Sequence, residues 1–123
     1  MIVGDLMDLD QVIQATQNAS IVYNFAAIAD IDEAHNHPLA TANINVIGNM
    51  HALEASRVTG VQRFVFASSV YVFSESGSFY RASKQAAERF TETYHERYGL
   101  DYTILRYGSL LSLIHISEPT RPY

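Results

Sequence analysis

Phe64-Val65-Phe66-Ala67, followed at once by Ser68-Ser69, is the stretch that decides the fold. Four apolar residues in a row do not suit a half-exposed sheet; they suit a strand buried on both faces, as in a parallel sheet. A long helical segment from about Pro38 to Val58 precedes it, with Ile44, Ile47, Leu53 and Ala55 spread along it and Gly60 as a cap beyond its end. A second helix follows from about Phe79 to Tyr98, with Gly99 after its last turn. Beyond these lie two more strand-like runs, Ile21-Val22-Tyr23-Asn24-Phe25-Ala26-Ala27 and Tyr102-Thr103-Ile104-Leu105. Near the start, Met1 to Val3 reads as a short strand closed by Gly4-Asp5, and Asp10 to Gln17 as a short helix. Strands alternating with helices at this spacing predict βαβ units on a parallel sheet, an α/β fold.

Composition narrows the function. The 123 residues are 48% hydrophobic and 17% charged, enough apolar content for a buried core. Thirteen acidic against eight basic residues give a formal charge of -5, which argues against a broad electrostatic grip on nucleic acid or an anionic membrane. No apolar run approaches the roughly 20 residues of a membrane helix. The absence of cysteine removes disulfides, zinc–thiolate centres and thiol nucleophiles. His35-Asn36-His37 is a poor metal motif, because residues two apart on a helix do not face each other.

The sharpest local pattern is Tyr80-Arg81-Ala82-Ser83-Lys84, which contains the only lysine of the chain. Residues four apart on a helix share a face, so phenol and ammonium project the same way. A neighbouring cation favours the phenolate, and a tyrosine so tuned can exchange a proton with a substrate hydroxyl near neutral pH. The alternative is an ordinary surface pair. Ser68 and Ser69 stand at the carboxyl end of the buried strand, where open parallel sheets carry their sites. A hydroxyl there can orient a substrate oxygen, although serines at strand ends are also common turn formers. Asn24-Phe25-Ala26-Ala27 ends the preceding strand in small residues that would let a flat ligand approach the backbone, or simply let a helix pack. Asn45, on the following helix, is either a polar site member or a solvent-facing residue.

Together these pieces resemble the extended short-chain dehydrogenase/reductase family, in its NAD-dependent epimerase/dehydratase branch acting on nucleotide sugars. Gly4-Asp5-Leu6 is similar to the family turn whose acidic residue contacts the adenine, which makes Asp5 and Leu6 cofactor residues. Asn24-Phe25-Ala26-Ala27 resembles the motif lining the ribose and nicotinamide side, which adds Phe25, Ala26 and Ala27. Asn45-Val46-Ile47-Gly48-Asn49 resembles the family's Asn-Val-x-Gly-Thr and implies Asn45 as the active-site asparagine. Phe66-Ala67-Ser68-Ser69 is similar to the strand that ends in the catalytic Ser/Thr. It implies Ser69 in catalysis, with Ala67 and Ser68 against the cofactor. Tyr80 and Lys84 match the catalytic Tyr-x-x-x-Lys pair, which also contacts the cofactor. Leu105-Arg106-Tyr107 resembles the strand end that sets a tyrosine near the nicotinamide, here Tyr107. The six motifs appear in the family's order over about residues 1 to 110.

The resemblance implies a doubly wound parallel sheet of the Rossmann type, with NAD as cofactor (NADP not excluded) and a nucleotide sugar as substrate. It further implies a homodimer, a cytoplasmic setting, and no nucleic-acid or membrane partner. A non-catalytic NAD(P)-binding regulator of the same fold is the alternative. Three features depart from the pattern. Val72-Phe73-Ser74 stands where Val-Tyr-Gly is usual, the loop Ser74 to Ser78 is short, and no glycine-rich phosphate loop precedes the rest. The expectation is an incomplete domain over residues 1–110 that carries strands 3 to 6 of the family sheet and lacks strands 1 and 2. Strand 4 would then have an unpaired, aggregation-prone edge, and the 123-residue piece alone would be inactive and bind no cofactor. Residues 111–121, Leu-Ser-Leu-Ile-His-Ile-Ser-Glu-Pro-Thr-Arg, resemble the in-frame translation of a transposase-type sequencing adapter. Residues 111–123 are accordingly expected to be a non-native tail.

Overall fold

The structure, a computed structural model, describes residues 4–28, 31–73 and 78–107. The expected strand at Met1 to Val3, most of the shortened loop and the tail from residue 108 lie outside the described residues. The first helix, α1 (Leu9–Thr16), is capped by Asp8, whose side chain accepts the Gln11 amide. Strand β1 (Ile21–Asn24) is shorter than the apolar run suggests. It stops where the Asn24 side chain accepts the Ala26 amide and turns the chain out of the sheet. A short helix, α2 (Ile31–Asn36), follows that the sequence reading did not anticipate.

The long helix expected from Pro38 is three pieces in one continuous rod. These are α3 (Pro38–Ala42), a π-helical stretch Asn43–Ile47, and α4 (Gly48–Thr59). Pro38 opens it where a missing N–H costs nothing. Gly60, at φ 75°, closes it: its own amide donates to the Arg57 carbonyl and the Val61 amide reaches back to that of Ser56. Those two bonds satisfy carbonyls the helix would otherwise leave open. Strand β2 (Arg63–Ser69) leads through a short 3-10 turn (Val70–Phe73) to α5 (Ser78–Tyr98). Gly99, at φ 73°, ends α5 before strand β3 (Asp101–Tyr107).

The three strands form a parallel sheet in the order β1-β2-β3, so β2 is central and β1 lies at the edge of the described sheet. Register sets Asn24 beside Phe66, Ser68 beside Arg106 and Ser69 beside Tyr107, which gathers the carboxyl ends of all three strands at one rim. Both crossovers are helical, as parallel pairing requires. Helices α4 and α5 pack over one face around a core of Ala52, Leu53, Phe64, Phe66, Ala87 and Leu100. Alanines on both helices let them approach the two β2 phenylalanines closely. Val22 of β1 joins this core, whereas Ile21 and Tyr23 are exposed. The described residues thus supply the α4/α5 half of the doubly wound sheet.

Candidate active site

Lysine and tyrosine meet at the rim of the strand ends. Tyr80 lies in the first turn of α5 and Lys84 one turn further on, and both are buried, at 7% and 4% exposure. A lysine so deep needs a partner for its ammonium. It finds the Ala67 carbonyl, 2.9 Å from Nζ, near the end of β2. The ammonium also lies 4.9 Å from the centre of the Phe66 ring and 6.0 Å from that of Tyr80. Burial pushes the Lys84 ammonium down to about 8, while the Glu88 carboxylate pulls the other way.

Asn45 is not solvent-facing. It sits within the π-helical stretch at 2% exposure, and a π-helical turn is a local distortion often found at functional sites. Its side-chain oxygen accepts the Ile28 amide at 2.7 Å, and its amide donates to the Ile28 carbonyl at 3.1 Å and to Ser83 Oγ at 3.0 Å. Ser83 in turn donates to the Tyr80 carbonyl at 2.8 Å. The asparagine therefore ties the loop after β1, which carries Phe25, Ala26 and Ala27, to the helix that carries Tyr80 and Lys84. Four residues on, Asn49 does similar work. Its oxygen accepts from Asn24 at 2.8 Å and its amide donates to the Ala87 carbonyl and Thr91 Oγ1, each at 3.3 Å.

Ser68 and Ser69 are both buried at the end of β2. Adjacent strand residues face opposite ways, and Ser68 faces α5, where its hydroxyl donates to Glu88 at 2.5 Å. The same carboxylate takes a two-pronged contact from Arg106 of β3, at 2.7 and 3.1 Å. Ser69 is the partner of Tyr107 in the β2–β3 register. Phe25 is 57% exposed, stacks near Tyr23 with ring centres 6.2 Å apart, and meets Tyr107 edge-on at 6.4 Å.

Asp5 and Leu6 form a built turn. Asp5 Oδ1 accepts the Met7 amide at 2.9 Å, while the Asp5 amide donates to Gln11 Oε1 at 2.7 Å. Leu6 packs at the core edge, and its carbonyl lies 2.9 Å from His51 Nδ1 of α4. A side chain at Gly48 would come within 2.8 Å of Leu6, so glycine at that position is what lets the turn seat on α4.

The structure thus brings Tyr80, Lys84, Ala67 and Asn45 into one bonded neighbourhood and lines Phe25, Ser69 and Tyr107 along the strand ends. The sequence reading missed Glu88, Arg106, Ser83 and Asn49 as working parts. One signal was available: Glu88 follows Lys84 at the same four-residue step that separates Lys84 from Tyr80.

Residues 1–119 match the NAD dependent epimerase/dehydratase family, a range that runs past residue 110. The chain is similar to the UDP-glucuronate 4-epimerase of Thermodesulfobacterium geofontis, at 30% identity over 105 residues, 75% of this chain and 32% of the relative. It is also similar to a putative UDP-glucose 4-epimerase of Methanocaldococcus jannaschii, at 30% identity over 84% of this chain and 38% of the relative. Among solved structures, the UDP-glucose 4-epimerase of Thermus thermophilus in complex with NAD superposes with a TM-score of 0.78 at 31% identity, over 86% of this chain and 40% of that one. The chain spans about a third of the length of the curated relatives it matches. With fold, motif order and family match in agreement, the chain belongs to the NAD-dependent epimerase/dehydratase family.

Proposed function

We propose that this chain is part of the nucleotide-binding domain of an enzyme that epimerises or dehydrates a nucleotide-activated sugar with NAD. The observation that carries the proposal is the buried Lys84 ammonium, seated on the Ala67 carbonyl beside the Tyr80 ring at the carboxyl end of a parallel sheet. A structural lysine is seldom buried so deeply; a perturbed cation beside a tyrosine at such a rim suits a catalytic pair.

The donor set suits a dinucleotide. An ammonium has three protons and Ala67 accepts one, so Lys84 can also bind ribose hydroxyls. Asp5 and Leu6 would meet the adenine, Ala26 and Ala27 would let the cofactor lie close to the backbone, and Phe25 and Tyr107 would face the nicotinamide side. When bound, NAD supplies the hydride acceptor. The chain's own residues handle the proton. Tyr80, as the phenolate that the Lys84 charge stabilises, takes it at Oη from the sugar hydroxyl that becomes a carbonyl and is left a neutral phenol, while Ser69 hydrogen-bonds the reacting oxygen. Asn45 has both amide protons committed to Ile28 and Ser83, so its part is to position the loop and α5 rather than to touch substrate.

Two further features belong to this reading. Val58 of α4 with Phe90 and Tyr98 of α5 are exposed apolar residues on the helix pair through which two copies would join. No helix among the described residues is long and apolar enough to cross a membrane, which fits an enzyme meeting its nucleotide sugar in the cytoplasm.

The test is Tyr80→Phe in the full-length protein. It should bind NAD with near-native affinity and lose turnover of nucleotide sugars by roughly a hundredfold or more. Near-normal turnover would overturn the assignment. Failure of the native protein to reduce bound NAD with any nucleotide sugar would favour a regulator instead.

A further inference from the structure

Glu88 lies inside the molecule, outside the set of groups that handle substrate. Its carboxylate joins three elements at once: its own helix α5, the Ser68 hydroxyl of β2, and the Arg106 guanidinium of β3. Ser68 and Arg106 are partners in the strand register, so the carboxylate bridges β2 and β3 at their carboxyl ends. Ser68 directly follows Ala67, whose carbonyl holds Lys84. Glu88 is also one turn beyond Lys84 on the same helix face. The carboxylate therefore acts on Lys84 in two ways. It fixes the strand end that supplies the lysine's hydrogen-bond acceptor, and it supplies a negative charge near a buried cation.

We propose that Glu88, clamped by Arg106 and Ser68, is a positioning residue that keeps Lys84 charged and seated on Ala67 beside Tyr80. This rests on the role proposed above for Lys84. Among the described residues, the groups packed around the lysine are these. On α5 it has Tyr80 and Glu88. On β2 it meets the Phe66 ring and the Ala67 carbonyl. From β3 comes Arg106, paired with Glu88, and the π-helical stretch brings Asn45, bonded to Ser83 next to Lys84 and without a titratable group. Among the described residues, Glu88 is the anion whose charge offsets the cost of burying Lys84, in keeping with the carboxylate's pull toward the charged form. Arg106 holds that anion in place and is itself kept firmly protonated by it.

The test is an NMR titration of Lys84 in full-length protein carrying isotope-labelled lysine, its signal assigned through Lys84→Arg, with no substrate present. In Glu88→Gln the Lys84 midpoint should fall below the native value by about half a unit to one unit. In Ser68→Ala, which keeps the Glu88 charge, the midpoint should stay put while kcat drops several-fold with KM for the nucleotide sugar little changed. A purely structural role would lower the melting temperature of Glu88→Gln and leave the Lys84 midpoint where it was. That result would overturn the proposal. If Glu88→Gln does not fold, Glu88→Asp takes its place: a native kcat in that shortened variant would overturn the proposal, and a several-fold loss would support it. The titration reads Lys84 without catalysis, so its outcome is separable from that of Tyr80→Phe.

Discussion

Arg106 meets Glu88 across the β3–α5 boundary with two hydrogen bonds from one guanidinium face, 2.7 Å from its terminal nitrogen and 3.1 Å from Nε. The glutamate side chain is 8% exposed and the arginine 38%. Removing the arginine leaves a buried carboxylate with Ser68 as its remaining partner. Breaking a buried pair costs about 3–5 kcal/mol, and the partly exposed arginine moderates that. Arg106→Met should therefore destabilise the full-length protein by about 2 kcal/mol, read as a lower urea midpoint. A midpoint equal to the native one would contradict the burial argument.

Lys84 carries a stability signature of its own. Burial depresses its folded value to about 8 from the ordinary 10.5. Above 8 the folded state sheds the proton while the unfolded chain keeps it up to 10.5, so stability rises with pH across that window. Below 8 both states hold the proton and the penalty is constant. Relative to Lys84→Met, the native protein should gain up to about 3 kcal/mol between pH 8 and 10.5. Urea unfolding at both ends of the window measures it, and parallel curves for the two proteins would refute it.

Asn45→Ala strips the Ile28 amide of its acceptor in a buried setting. An unsatisfied buried donor costs about 1–3 kcal/mol, and the loop after β1 loses its tether to Ser83. The expected outcome is faster hydrogen exchange at the Ile28 amide together with a lower melting temperature. Unchanged exchange at Ile28 would show that the loop is held by something else.

Gly48→Ala tests the seat of the Asp5–Leu6 turn. Alanine is the better helix former by nearly 1 kcal/mol, yet its Cβ would stand 2.8 Å from Leu6 Cδ2 and 3.2 Å from Cγ. Leu6 has to move, and the turn moves with it. Affinity for NAD should weaken several-fold in isothermal titration, with global stability nearly unchanged because the two effects offset. Native affinity would detach that turn from cofactor binding.

Much of the architecture was legible because it is encoded locally. The apolar run of β2 fixed a buried parallel strand, and Gly60 and Gly99 marked helix ends that the chain closes with left-handed glycines. The Tyr80–Lys84 step put both side chains on one helix face before any contact was known. The misreadings are also local in origin. The β1 run looked longer because Phe25 and Ala26 are apolar, but the Asn24 side chain captures the Ala26 amide and ends the strand. The rod from Pro38 looked uniformly α-helical, since periodicity does not register the one extra residue of a π turn.

The sequence by itself determined the alternation of β1, β2 and β3 with the long helices, the family, and the tyrosine–lysine pair, because each depends on residues within a few positions of one another. Only the tertiary structure decided the partners of the buried polar groups. Asn45 is matched with a backbone 17 positions away, Asn49 with Asn24 across 25, and Glu88 with Arg106 across 18. A buried amide or carboxylate has to find a partner or lose several kcal/mol of solvation. Which partner it finds depends on how the helices lie over the sheet, and no spacing in the chain records that.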